Sequence, residues 1–212
     1  MTVNDDLYEG VINGDNEAVA ALTAQAMAEG LRADDLLSRV LIPAMTEVGQ
    51  RFERQEFFVP DMLIAARAMQ AGVNVLRPHL TAAGVKPIGT VVMGTVAGDL
   101  HDIGKNLVIM MLEGTGFRVV DLGVDVSADK FVAAVREHKP QLVAMSALLT
   151  TTMMTMKVSI EALKKAGLRD QVKVMVGGAP VTRKFADDVG ADIYGADASS
   201  AARKAKEAVA AL

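Results

Sequence analysis

From residue 88 onward, short apolar runs alternate with helical stretches five times, and this alternation limits the possible folds more than any other feature of the chain. The runs cover 88–93, 117–122, 141–146, 172–176 and 191–194; the helical stretches cover 103–114, 128–138, 153–166, 180–188 and 198–211. Continuous apolar runs of this length suit strands covered on both faces, and strands joined through helices run parallel. The expected fold is therefore α/β, with a five-stranded parallel, doubly wound sheet of the flavodoxin-like kind. In such sheets ligands lie outside the carboxyl ends of the strands, where the strand order reverses. Four segments fall at those ends: "MGTVAGDLHDIGKNL" from Met93, "SALLTTT" from Ser146, "GGAP" from Gly177 and "YGADA" from Tyr194.

The first 80 residues follow a different pattern. Apolar side chains recur at helical spacing, as in Leu36, Leu37, Val40, Leu41, Ala44, Met45 and Val48. Four helices are expected, near 4–13, 15–29, 33–53 and 60–79, forming a four-helix bundle, with Asp15 and Asp61 at helix starts where a carboxylate can take up free N–H groups. Charge divides the same way: residues 1–80 hold 12 acids against 6 Arg and no Lys (net −6), whereas 81–212 hold 16 basic and 14 acidic residues (net +2). Two domains are expected, a helical one at 1–83 and an α/β one at 88–212, joined through "TAAGVKPIG" (Thr81 to Gly89).

Several functions are excluded at this level. No apolar run reaches the length of a membrane span, and the start "MTVNDDLYEG" is acidic where a secretion signal is basic, so a cytoplasmic protein is expected. The absence of cysteine removes disulfides, thiolate metal sites and thiol nucleophiles. A net charge of −4 argues against nucleic acid as a partner.

The glycine-rich loop after the first strand fits none of the common phosphate sites. A P-loop needs Gly at 99 and Ser or Thr at 106, where Asp and Asn stand; a dinucleotide fingerprint needs Gly at 96, where Val stands. A phospho-acceptor receiver needs Asp at the end of the third strand, where Met145 and Ser146 stand. What remains is His101, with Asp99 two residues away. A histidine that ligates a metal commonly donates its other ring N–H to a carboxylate, and Asp99 can fill that role. With no second His or Cys close in sequence, further ligands would have to come from a cofactor such as a tetrapyrrole-like ring. His79 and His138 are read as surface residues and "MMTM" (Met153 to Met156) as core filler.

The segment "DLHDIG" resembles the Asp-x-His-x-x-Gly motif of corrinoid (vitamin B12) binding domains. "SALLT" resembles the Ser-x-Leu motif of that family, and "VGGAP" its downstream Gly-Gly, in the same order. The resemblance implies a base-off, His-on cobalamin or related corrinoid, with His101 as axial cobalt ligand beside Asp99 and within the loop of Gly98, Asp102, Ile103 and Gly104. It implies that Ser146 hydrogen-bonds the displaced base, that Thr150 contacts base or tail, and that Leu148 is among the cofactor-binding residues. Gly177 and Gly178 are implied to let the nucleotide tail approach the backbone, and Ala179, Tyr194 and Ala196 are implied among the cofactor-binding residues. Asp102 has a competing reading as a solvated helix-start residue.

"VGQRFERQEFFVPDMLIAARAM" (Val48 to Met69) resembles the helical cap of methionine synthase and, still more closely, that of small corrinoid proteins in anaerobic methyltransferase systems. By this likeness Phe52, Val59 and Met62 would cover the upper face of the corrin; core packing is the competing reading. Thr152 stands where methionine synthase has a proton-relaying Ser. The implied function is a methyl carrier served by three proteins: a donor-specific barrel methyltransferase, an acceptor methyltransferase using tetrahydrofolate or a thiol coenzyme, and a reductive activating protein. A B12-dependent regulator and the small subunit of an adenosylcobalamin mutase are the alternatives. The acidic, lysine-free N-terminal part disfavours the first, and the cap-like segment the second.

Overall fold

The computed structural model describes residues 2–211. The chain divides into two units, 1–86 and 87–212. The first is helical: α1 (Val3–Asn13), α2 (Asn16–Ala28), α3 (Ala33–Leu36), α4 (Ile42–Glu53) and α5 (Val59–Ala82). Asp15 caps α2 by accepting the Ala18 N–H at 3.0 Å, and Asp61 accepts the Phe58 N–H at 2.8 Å in the first turn of α5. The helix expected over 33–53 is interrupted by a π turn, Leu37–Leu41. Pro43 supplies the reason: it has no N–H for the Arg39 carbonyl, and its ring would crowd that carbonyl in a regular α-helix. In the widened turn the Ile42 N–H bonds instead to the Leu37 carbonyl. Gly72 lets α5 lie close to α2, since a Cβ there would stand 3.0 Å from the Val19 side chain.

The second unit alternates strand and helix: β1 (Thr90–Thr95), α6 (Ile103–Gly114), β2 (Arg118–Asp121), α7 (Ala128–His138), β3 (Leu142–Ser146), α8 (Met154–Lys165), β4 (Lys173–Gly177), α9 (Arg183–Val189), β5 (Ile193–Gly195) and α10 (Ala198–Ala210). All strand pairs are parallel, in the order β2-β1-β3-β4-β5. The expected α/β architecture is therefore present, and β1 and β3 are the neighbours between which the winding reverses.

β1 begins two residues later than the apolar run suggested, because pairing with β2 starts only at Thr90 and Ile88 stays partly exposed. α9 begins at Arg183 rather than 180, since Thr182 supplies its cap by accepting the Phe185 N–H. The core on one side of the sheet joins Val92, Val143, Met145, Val174 and Val176 to Phe131, Met156, Ile160 and Leu163 from α7 and α8. Met154, expected as core filler with Met156, is instead exposed, because the two side chains leave different faces of α8. Among the described residues no helix is long and apolar enough to cross a membrane.

Candidate functional site

The loops after β1 and β3 leave the sheet side by side, and each carries half of one polar cluster. Val96 to Asp99 form a turn closed by the Asp99 N–H on the Val96 carbonyl (3.1 Å), with Gly98 at φ +81° in its third position, where a side chain would be strained. The turn delivers Asp99 into the interior, where it is fully buried. Asp99 Oδ1 accepts the His101 N–H at 3.1 Å and lies 2.7 Å from His101 Nδ1. Oδ2 faces the other loop, accepting the Leu148 N–H at 2.8 Å and lying 2.7 Å from the Thr152 hydroxyl. Burial pushes the Asp99 carboxyl up, but the bonds from Leu148, Thr152 and His101 outweigh it and hold the group well below the usual carboxylate range.

An ionised carboxylate only accepts, so Nδ1 of His101 carries the proton that faces it. In the neutral imidazole Nε2 then keeps its lone pair, on a side chain that is 52% exposed. Thr95 steadies the same residue by donating its hydroxyl to the His101 carbonyl at 2.8 Å. The two loops also carry exposed apolar side chains: Leu100 and Ile103 (80% exposed) on either side of His101 in the chain, and Leu148 and Leu149 in the loop after β3. The result is one free nitrogen donor set in a greasy, open surface.

This donor set fits a particular kind of metal group. Among the described residues no cluster of three or more His, Cys, Asp and Glu could hold a bare ion. A metal at His101 must bring its other ligands, as cobalt in a corrin ring does. Gly104, in the first turn of α6, has no atom within 4 Å of the place a Cβ would take, so the surface beside His101 stays open to a broad ring.

The other residues singled out in the sequence separate into groups. Ser146 is half-buried at the end of β3, where its carbonyl accepts the Val96 N–H at 3.0 Å. Thr150, Ala179 and Ala196 are exposed, and Tyr194 is half-buried. Gly177 and Gly178 have an internal reason to be glycine. A Cβ on Gly177 would stand 2.9 Å from the Gly195 carbonyl oxygen, and one on Gly178, at φ +129°, would collide with the Ala147 carbonyl. Asp102 makes no cap bond to α6 through its side chain, which accepts from the Asn106 amide at 3.2 Å. In the helical unit Val59 is exposed, Phe52 half-buried and Met62 fully buried, so Met62 offers no free surface. His79 is exposed as expected, but His138 is partly buried, its Nε2 3.7 Å from Glu137.

Sequence reasoning passed over Leu100 and Leu149, two exposed apolar residues of the loops after β1 and β3, and Phe58, an exposed aromatic beside Val59. Large apolar residues in loops at strand ends were an available signal for Leu100 and Leu149, and a large apolar residue directly before a helix start for Phe58. It also passed over Lys105, which is 2% exposed and reaches Asp121 Oδ2 at the end of β2 (2.7 Å).

Family models described as B12 binding domain match this chain twice, over residues 89–203 and 3–77. Trimethylamine corrinoid protein 1 of Methanosarcina mazei is 45% identical over 203 residues, 95% of this chain and 94% of that protein. The dimethylamine corrinoid protein of Methanosarcina barkeri is 44% identical over 207 residues, 97% of this chain and 96% of that protein. Among solved structures, a chain of the methanol:cobalamin methyltransferase complex MtaBC from Methanosarcina barkeri superposes with a TM-score of 0.86. It is 30% identical, and the match covers 99% of this chain and 80% of that one. By these matches the chain belongs to the corrinoid protein family and carries the B12 binding domain of that family over residues 89–203.

Proposed function

We propose that this protein is the methyl carrier of a methyltransferase system, with His101 as the lower axial ligand of a corrinoid bound base-off. The observation that carries the reading is the Asp99–His101 pair: a buried carboxylate holds Nδ1 of the imidazole, and Nε2 is left on a half-exposed side chain. When bound, the corrinoid supplies a cobalt that takes a methyl group from one methyltransferase and yields it to another. The chain's own residues prepare that site. Asp99 holds the Nδ1 proton and strengthens Nε2 as a donor; Thr152 and the Leu148 N–H keep Asp99 in place. Leu100, Ile103, Leu148 and Leu149, exposed apolar residues of the same two loops, would offer a bound ring apolar surface. Val59 and Phe58 are exposed apolar residues of the helical unit.

The relatives at 44–45% identity are named for trimethylamine and dimethylamine, whereas the chain from the methanol complex is 30% identical. We therefore place the donor among methylated amines, delivered by a separate donor-specific methyltransferase. An acceptor methyltransferase and a reductive activating protein complete the system.

The test is to mix the protein with hydroxocobalamin, desalt it, and record absorption and Co(II) electron paramagnetic resonance beside His101→Ala. Retained corrinoid with a nitrogen splitting that His101→Ala abolishes supports the carrier. Failure to retain corrinoid overturns it. Methyl uptake is then compared with donor methyltransferases for trimethylamine, dimethylamine and methanol.

A further inference from the structure

We infer that Asp125 is a positioning residue for the axial histidine, acting through one peptide group of the loop that carries it. Asp125 lies in the turn between β2 and α7, 24 residues beyond His101 in sequence and outside every motif named above. Its φ is +51°, a left-handed conformation that non-glycine residues take up uncommonly and Asp more readily than most. Two hydrogen bonds account for it. Asp125 Oδ1 accepts the Gly98 N–H at 2.7 Å, and the Asp125 N–H donates to the Asp99 carbonyl at 3.0 Å. The Val96–Val126 bridge beside them ties the same two segments.

The Gly98 N–H belongs to the central peptide of the turn from Val96 to Asp99. That peptide distinguishes the two commonest turn classes, which differ by its flip and by the sign of φ at the third residue. With Gly98 at +81°, the N–H points to Asp125, while the Ala97 carbonyl at the other end of the peptide lies 3.4 Å from the Thr155 hydroxyl. The Asp125 carboxylate therefore holds the flip at its N–H end. Reversing it would move Asp99, the next residue, and with it the Oδ1 that faces His101 Nδ1. Asp125 touches neither His101 nor any atom expected to react; it fixes the direction from which the imidazole is presented.

This inference rests on the axial-ligand reading of His101, and the experiment separates the two. Three proteins are compared: wild type, Asp125→Gly, which tolerates positive φ but accepts nothing, and Asp125→Asn, which tolerates it and still accepts. Two readouts are taken: the fraction of corrinoid-loaded protein with the nitrogen splitting in Co(II) resonance, and amide hydrogen exchange at Gly98 in corrinoid-free protein, with Val92 in β1 as control. Losing one charge-assisted bond should speed Gly98 exchange by about tenfold in Asp125→Gly. The His-on fraction should fall in that variant, Asp125→Asn should stay near wild type in both readouts, and Val92 should be unchanged in all three. Asp125→Gly with a wild-type His-on fraction overturns the inference, whether or not exchange is faster. Asp125→Asn as impaired as Asp125→Gly overturns it too, because the carboxylate charge and not the accepted bond would then matter. If wild type shows no nitrogen splitting, the axial-ligand reading itself falls, and unaltered Gly98 exchange in Asp125→Gly overturns the clamp independently.

Discussion

Asp99 Oδ2 and the Thr152 hydroxyl lie 2.7 Å apart across 53 residues of sequence, joining the β1 and β3 loops in the interior of the sheet's end. Both residues are buried, so neither has water as a substitute partner. Thr152→Val keeps the shape and removes the donor. It should destabilise the corrinoid-free protein by about 1–2 kcal/mol in urea denaturation, while Thr152→Ser should stay within about 1 kcal/mol of wild type.

The depressed Asp99 carboxyl makes folding sensitive to acid with a definite sign. Its folded value lies below the ordinary 3.8, because the bonds it accepts outweigh the burial that opposes them. The unfolded chain therefore binds this proton first as pH falls. The stabilisation is complete above the ordinary value and is lost progressively below it. Urea denaturation of corrinoid-free protein between about pH 5 and 3 should show stability falling with pH, and less steeply in Asp99→Asn, which has no such group to titrate.

Two glycines should respond oppositely to alanine. Gly178 sits at φ +129° against the Ala147 carbonyl, so Gly178→Ala must displace backbone and should cost about 3 kcal/mol or more, read as a lower melting temperature. Gly104 lies in α6 with open space beside it, so Gly104→Ala should stabilise the corrinoid-free protein by about 0.5–1 kcal/mol. On the proposed function the added methyl intrudes where the ring would lie, so the same variant should retain less hydroxocobalamin after desalting.

The Lys105–Asp121 pair should be asymmetric. Lys105 is 2% exposed, whereas the Asp121 side chain is 43% exposed. Asp121→Ala leaves a buried ammonium with Asn106 Oδ1 as its remaining side-chain acceptor and should cost about 2–4 kcal/mol. Lys105→Met leaves a carboxylate that water can solvate and should cost about 1 kcal/mol. Chemical denaturation of the two single variants, with the double variant to close the cycle, measures the difference.

What the sequence determined by itself was whatever depends on neighbours along the chain. The strand and helix alternation, the caps at Asp15 and Asp61, and the Asp99–His101 pair two residues apart are local, and each could be read from residue type and spacing. The π turn before Pro43 was local as well, though it was read as regular helix. The tertiary structure decided what depends on which strands lie side by side. Parallel strands need long crossovers, so partners across the sheet stand tens of residues apart with no spacing rule to connect them. Only once β1 lies next to β3 does Asp99 meet Leu148 and Thr152, and only once β2 flanks β1 does Asp125 reach Gly98 or Lys105 reach Asp121. Burial follows the same division: Met62 and Met154 are both apolar residues on helices, and which of them faces the interior is set by packing that no local pattern encodes.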